Sequence, residues 1–337
     1  MNTFLVGEVG LEQTNIRIIK VKVLSSQTTV INEANLENKN YNSFLHLLTD
    51  FLNGNTSHAK AIIVVPGIVV ENKLERKTVL PWNTIDGLEL AKALQIPFFK
   101  LVSKIEAISL YSKFLRTSDV IELNPKYVPY PDKRLLIYIG EEIQTTISVA
   151  NNPHAQTALT DQRILVSAGA NTSFCPRNER DFKFVLFLKK ELGFEENQVP
   201  SFQNMISSKG ILNIYSFLSQ EAKKEVVPSK FNYKVFVNEL KKDSELAIET
   251  VAYYMEILGI FIYTMSAAYL PEGGIYLFGG DFCKMMALLK QRESECLGIL
   301  LEHFLVNGHL KPRLSEFRLC ACTGDSELDF DQVIKYL

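Results

Sequence analysis

Few stretches of this sequence combine residue types and spacing that could do chemistry. Glu141-Glu142 sets two carboxylates side by side at a turn, which suits a cation or simply a solvated loop. Gly279-Gly280 closes a short apolar run. Glycines there let backbone amides approach a nucleotide, and they equally serve a turn that needs them. Lys104 opens an apolar helical stretch, where its ammonium could meet a phosphate or lie solvated at the helix start. Glu106, two residues on, could accept a proton, but on a helix it points elsewhere. Cys320 and Cys322 share one face of a strand; with no second pair at ligand spacing they read as structural thiols. The sequence has no P-loop, dinucleotide fingerprint, nucleophile elbow or H-E-x-x-H run.

The elements that must position these residues belong to a chain of 337 residues, enough for one large or two ordinary domains. Apolar residues make up 47% and charged residues 22%, as in soluble globular proteins. The net charge of −2 gives no electrostatic argument for nucleic acid or an anionic membrane as partner. Five cysteines, an odd number without C-x-x-C spacing, read as reduced thiols of a cytosolic protein. The opening MNTFLV lacks the basic region and apolar length of a signal peptide. Residues 251–270 are apolar enough to suggest a membrane span, but Glu256 and four tyrosines favour a buried core helix.

Along the chain, three extended runs (3–9, 15–23 and 28–31) precede a helix at 43–52. A buried strand at 61–65 ends in Pro66-Gly67, and a helix at 88–94, a strand at 98–102 and a helix at 105–114 follow. After a proline-rich linker at 124–132 the pattern restarts with strands at 135–139 and 144–150. Helices dominate 181–269, a glycine-bracketed strand covers 273–280, and a strand near 317–321 precedes a C-terminal helix. Two α/β halves, each opening on a hairpin or meander, are one option among α/β folds.

Five segments, in order, resemble the bacterial glucokinase family. Gly7-Glu8-Val9-Gly10 with Thr14-Asn15-Ile16-Arg17 resembles GDIGGTNxR, and Pro81-Trp82-Asn83-Thr84-Ile85-Asp86 resembles the family's xxW-x-ID element. Val102-Ser103-Lys104-Ile105-Glu106-Ala107 stands where the family has xINDFEA. Ile206-Ser207-Ser208-Lys209-Gly210-Ile211 resembles LSGxGL, and Gly273 to Gly280 resembles GGVxIAGG. The resemblance implies a two-domain α/β fold of the actin/hexokinase (ribonuclease H-like) kind with an interdomain cleft. The small domain would hold residues 1–115 and the large domain 116–337, with the last helix crossing back.

The same resemblance implies ATP-dependent transfer to a sugar hydroxyl, which needs a base, sugar ligands and amides around the phosphates. At the implied positions this chain differs. The Asn-Asp pair, sugar anchor and base, is Ser103-Lys104, and a protonated lysine accepts no proton. The family's sugar-binding Glu and His fall on Ala168 and Asn171, a further Glu on Gln203, and an Asn on Val79. The glycine-rich phosphate loop falls on Glu141-Glu142-Ile143-Gln144-Thr145. The small residues near the adenosine fall on Ile262-Tyr263-Thr264. Gly7, Gly10, Thr14, Asn15, Gly279 and Gly280 remain as nucleotide contacts.

These replacements predict a glucokinase-like protein without glucose phosphorylation, acting by binding a protein or a regulatory ligand. The alternative is an ATP-dependent sugar kinase, glucokinase-type or of altered acceptor, which would need ATP and Mg2+. Its base would be another carboxylate, with Glu8, Asp86 and Glu106 nearest in sequence. No metal site is expected from the residues. A cytoplasmic protein is expected, with a homodimer as the partner the resemblance implies, or an unidentified protein.

Overall fold

The computed structural model describes residues 2–10, 12–22, 27–54, 60–67, 69–74, 80–82, 84–112, 115–126, 133–151, 162–222, 231–306 and 308–322. The expected C-terminal helix, Val79 and most of the proline-rich linker lie outside these residues. The chain forms two compact units, Met1–Phe114 and Leu115–Glu327.

The first unit runs β1 (Asn2–Val9), β2 (Gln13–Lys22), β3 (Gln27–Glu37), α1 (Phe44–Leu52) and β4 (Lys60–Val65). A two-residue-stranded hairpin, β5 (Val69–Val70) with β6 (Lys73–Leu74), precedes α2 (Gly87–Leu94), β7 (Phe98–Ser103) and α3 (Lys104–Tyr111). The main sheet has the order β3-β2-β1-β4-β7. β1, β4 and β7 are parallel, and β2 and β3 are antiparallel additions. Parallel strands need crossovers, and α1 and α2 supply them. One sheet face carries Leu5, Val9, Ile16, Ile63, Val65 and Leu101, which join Phe44, Leu47 and Trp82 in a single core. Each helix start is fixed locally. Ser43 accepts from His46 N and Asp86 from Leu88 N and Glu89 N, as side-chain oxygens do at N-caps.

β3 is longer than the run at 28–31 suggests. It pairs with β2 from Gln27 to Glu37, although NEANLE has no apolar alternation. The strand lies at the sheet edge with Val30 and Ile31 exposed, and of its remaining described residues only Ala34 and Leu36 turn partly inward, Leu36 against the core, too little apolar surface to mark a strand.

The second unit runs β8 (Val120–Asn124), β9 (Lys133–Ile139), β10 (Ile143–Ala150), β11 (Gln162–Ser167), α4 (Glu179–Glu191), α5 (Phe202–Ile206), α6 (Ser208–Glu221) and α7 (Tyr233–Lys241). It continues with α8 (Glu245–Tyr269), β12 (Ile275–Phe278), α9 (Gly280–Gln291), α10 (Cys296–Phe304), α11 (Lys311–Leu314) and β13 (Leu319–Cys322). Its sheet has the order β11-β10-β9-β12-β13-β8, with β9, β12 and β13 parallel. A meander followed by parallel strands therefore occurs twice, although no repeat is visible in the residues.

α8 has the length and composition to cross a membrane, but 67% of its apolar window is buried inside the protein. It is the core helix of this unit. Tyr253 packs its ring on Phe184 and donates its hydroxyl to Asp181 at 2.9 Å. Asp181 is fully buried and also accepts from Arg177 Nε at 2.7 Å and Arg177 N at 2.9 Å. Burial alone would raise its pKa, but the Arg177 bonds outweigh it and hold the carboxyl below its ordinary value. Gly259 lets α10 approach α8, since a Cβ there would press on the Leu300 carbonyl at 2.6 Å.

Candidate functional site

In each unit the implied residues gather at the carboxyl ends of the parallel strands, the edge at which open α/β sheets bind ligands. In the first unit this edge carries Glu8 on β1 and Ser103-Lys104 at the end of β7. The register places Glu8 beside Val64, and Val64 beside Val102. Glu8 follows Val6 on the face opposite the main core, because strand side chains alternate.

Lys104 donates from Nζ to Glu8 Oε1 at 2.9 Å, and both side chains remain 24% exposed. The position implied for a catalytic base thus carries an ammonium paired with the carboxylate of β1, two strands away across β4. Ser103 caps α3. Its Oγ donates to Glu106 Oε2 at 2.6 Å, its N donates to the same oxygen at 2.8 Å, and Glu106 N donates to Ser103 Oγ at 3.3 Å. This reciprocal capping box turns the Glu106 carboxylate back onto its own helix start. Asp86 serves likewise at α2 and pairs with Lys73 at 2.6 Å. Among the three carboxylates considered from sequence, Glu8 is the one not engaged in a helix cap.

The β1–β2 turn is held by a residue the sequence reading did not single out. Asn38 is 1% exposed. Its Nδ2 donates to Gly10 O at 2.9 Å, its Oδ1 accepts from Thr14 Oγ1 at 2.6 Å, and its N donates to Glu12 O at 2.8 Å. Thr14 is fully buried with its hydroxyl proton directed at Asn38, so its side chain does not reach out as a nucleotide contact. Gly7 is likewise buried in the strand, opposite Ile16, while Asn15 pairs with Glu8 across the ladder. No local sequence signal marks Asn38, since its burial and the partners such a buried group requires arise only when the end of β3 meets the β1–β2 turn.

In the second unit, Gln203 spans the β9–β10 turn. Its Oε1 accepts from Ile143 N at 2.7 Å and its Nε2 donates to Glu141 O at 2.9 Å. Ser208 N donates to Gly140 O at 2.8 Å and Phe202 N to Thr172 O at 3.2 Å. The turn, α5 and the segment carrying Ala168 and Asn171 are thereby brought together. Ala168 precedes a short 3-10 turn, and Asn171 is exposed with its N on Ala168 O at 2.9 Å. Gly279 has φ +138°, and a Cβ there would overlap the Ile139 carbonyl oxygen; only glycine fits. Gly280 then starts α9.

The residues suit a triphosphate unevenly. The β9–β10 turn does not fit a phosphate. Gly140 N is bonded to Glu142 O at 3.3 Å, Ile143 N is occupied by Gln203, and Glu141 and Glu142 are exposed carboxylates. Gln144 Oε1 is a buried acceptor without a hydrogen-bond partner, whereas a phosphate needs donors. The start of α9 does fit, because the first amides of a helix have no partner within it. At the implied adenosine position, Ile262 is buried in α8 and Thr264 Oγ1 returns to Ile260 O at 2.8 Å. Among the described residues no group of three or more His, Cys, Asp or Glu could hold a metal ion.

Two α/β units, each a meander joined to parallel strands with turns and small residues at the carboxyl edge, define the class of actin-like ATPase and sugar-kinase folds. Solved structures agree. A glucokinase from an Antarctic psychrotroph superposes with TM-score 0.76 at 15% identity, covering 99% of this chain and 98% of that one. A Balamuthia mandrillaris glucokinase in complex with glucose gives 0.74 at 12% identity, covering 99% and 93%. The glucokinase family profile matches residues 5–314; the chain belongs to the glucokinase family. Among curated relatives, the glucokinase of a Nostoc species is 25% identical over 346 residues, covering 94% of this chain and 93% of its own. A "glucokinase-like protein" of Xylella fastidiosa is 20% identical, covering 91% and 86%. These relatives support the sugar-kinase alternative and give no support to the expectation of an inactive protein.

Proposed function

We propose that this chain transfers a phosphoryl group from ATP to a hydroxyl of a hexose or hexose-like sugar other than glucose. The carrying observation is the family match over residues 5–314, which takes in the carboxyl edges of both sheets. ATP is the donor the family implies, and the Gly279-Gly280 start of α9 is the element suited to its phosphates. Magnesium would accompany the nucleotide. The acceptor differs from glucose because Lys104, Ala168, Asn171 and Gln203 replace the implied sugar ligands and Gln203 is spent on the β9–β10 turn.

The test is ADP release by the purified chain with ATP and Mg2+ across a panel of hexoses, amino sugars and sugar acids, with products identified by phosphorus NMR. Sugar-dependent ADP release is expected. Its absence across the panel would end the kinase reading.

One observation favours a second reading, binding without transfer: the ammonium of Lys104 at the implied base position, 2.9 Å from Glu8. Saturable binding of ATP or a sugar by calorimetry, with no product formed, would support it.

A further inference from the structure

We propose that Glu8 is the proton acceptor of the transfer step, with Lys104 as the residue that positions it; this rests on the kinase reading above. A base at this edge must be a carboxylate with a lone pair to offer. Three carboxylates lie near the edge in sequence. Asp86 accepts two helix amides and the Lys73 ammonium. Glu106 accepts the amide and hydroxyl of Ser103 on one oxygen, so its carboxylate is folded into the start of α3. Glu8 is different. It comes from the end of a parallel strand, remains 24% exposed, and among the described residues meets one hydrogen-bond donor, Lys104.

Lys104 fits this division of labour. Its ammonium cannot take the proton, but it fixes the direction of the Glu8 carboxylate. It also offsets one negative charge beside a polyanionic donor, where a bare carboxylate would be repelled. The resemblance implies a carboxylate at the Glu8 position as well, so the change lies at the start of α3, where the implied carboxylate is the Lys104 cation.

The acceptor hydroxyl oxygen forms a bond to the γ-phosphorus of the nucleoside triphosphate. The bond from that phosphorus to the bridging oxygen breaks, and the nucleoside diphosphate leaves with the electron pair. The hydroxyl proton passes to the Glu8 carboxylate and then to water.

The experiment compares the unaltered chain with Glu8→Gln, Glu8→Asp and Lys104→Met, using ATP, Mg2+ and the best acceptor of the sugar panel. Glu8→Gln keeps the length and the acceptor for Lys104 but cannot take a proton. Its kcat is expected to fall at least about 100-fold, with KM for ATP changed less than about threefold and an unchanged unfolding midpoint. Glu8→Asp is expected to retain part of kcat, and Lys104→Met to lose less than Glu8→Gln. A Glu8→Gln variant within about fivefold of the unaltered kcat would overturn the inference while leaving the kinase reading intact. Activity of Glu8→Gln restored by raised Mg2+ would overturn it in favour of a metal-holding role. Equal loss in Glu8→Gln and Glu8→Asp with a lowered unfolding midpoint would overturn it in favour of a structural one. No turnover by the unaltered chain would remove both the inference and the kinase reading.

Discussion

Gln203 and Ile143, sixty residues apart in sequence, are joined by a 2.7 Å hydrogen bond from the Ile143 amide to the Gln203 Oε1, while the Gln203 Nε2 reaches Glu141 O at 2.9 Å. One side chain therefore satisfies both flanks of the β9–β10 turn. It needs one donor and one acceptor to do so, and a carboxamide carries the two on separate atoms of one group.

Restoring the carboxylate implied by the family should therefore destabilise this chain. Gln203→Glu keeps the acceptor for Ile143 N but sets an anionic oxygen against the Glu141 carbonyl, close in sequence to the Glu141 and Glu142 carboxylates. A loss of about 1–3 kcal/mol is expected, measured as a lowered urea midpoint by circular dichroism. An unchanged midpoint would mean that the Glu141 bond contributes nothing.

The same bond shows where the sequence was legible. The order of strands and helices in the first unit could be read because runs such as NIRIIKVKV and AIIVV carry the period of their element. β8, the β5–β6 hairpin and residues 32–37 of β3 could not, being short or carrying too few apolar residues to show a period. Ser103, Lys104, Ala168, Asn171 and Gln203 could be singled out because flanking residues resemble the family's segments. Their partners were not. Glu8 lies 96 residues from Lys104, Asn38 lies 28 from Gly10, and no local period records such a meeting. The replaced residues predict an inactive protein, an expectation to which the glucokinase relatives give no support.

Asn38 should be indispensable to the first unit's turn. Asn38→Ala leaves the buried Thr14 hydroxyl and the half-buried Gly10 carbonyl without this partner. A cost of about 1–3 kcal/mol is expected. The chain has one tryptophan, Trp82, which packs in the same unit's core, so its fluorescence during urea unfolding reports the change. Asn38→Asp, which keeps the acceptor for Thr14, should cost less.

The Glu8–Lys104 pair should matter little to stability whatever its chemistry. Both side chains are about a quarter exposed, so solvent screens the attraction. A double-mutant cycle of Glu8→Ala and Lys104→Ala should give a coupling of about 0.2–1 kcal/mol. A coupling above about 2 kcal/mol would show a desolvated pair and a structural reason for the lysine.

The five thiols should separate into one reactive and four protected groups. Cys175 is exposed, and Cys283, Cys296, Cys320 and Cys322 are buried. Burial pushes Cys283 and Cys320 up to about 12, so neither supplies thiolate near neutrality. Iodoacetamide at pH 8 followed by mass spectrometry should find a single modified cysteine in the native protein and five in urea. Early labelling at Cys320 or Cys322 would mean that β13 opens readily.

Acid should weaken the second unit through Asp181. Its folded pKa lies below the unfolded value, so the stabilisation is fully present above about pH 3.9 and is lost as pH falls through the folded value. Asp181→Asn removes the charge but leaves the partly buried Arg177 guanidinium without its bidentate partner, and Arg177 also reaches Glu256 at 3.3 Å. The variant should lose about 3 kcal/mol near neutrality and lose less of its remaining stability than the parent between pH 5 and pH 2. Near-ultraviolet circular dichroism, to which the buried Tyr253 on Asp181 contributes, follows both effects. A parent and variant with parallel acid profiles would show that another carboxylate governs acid unfolding.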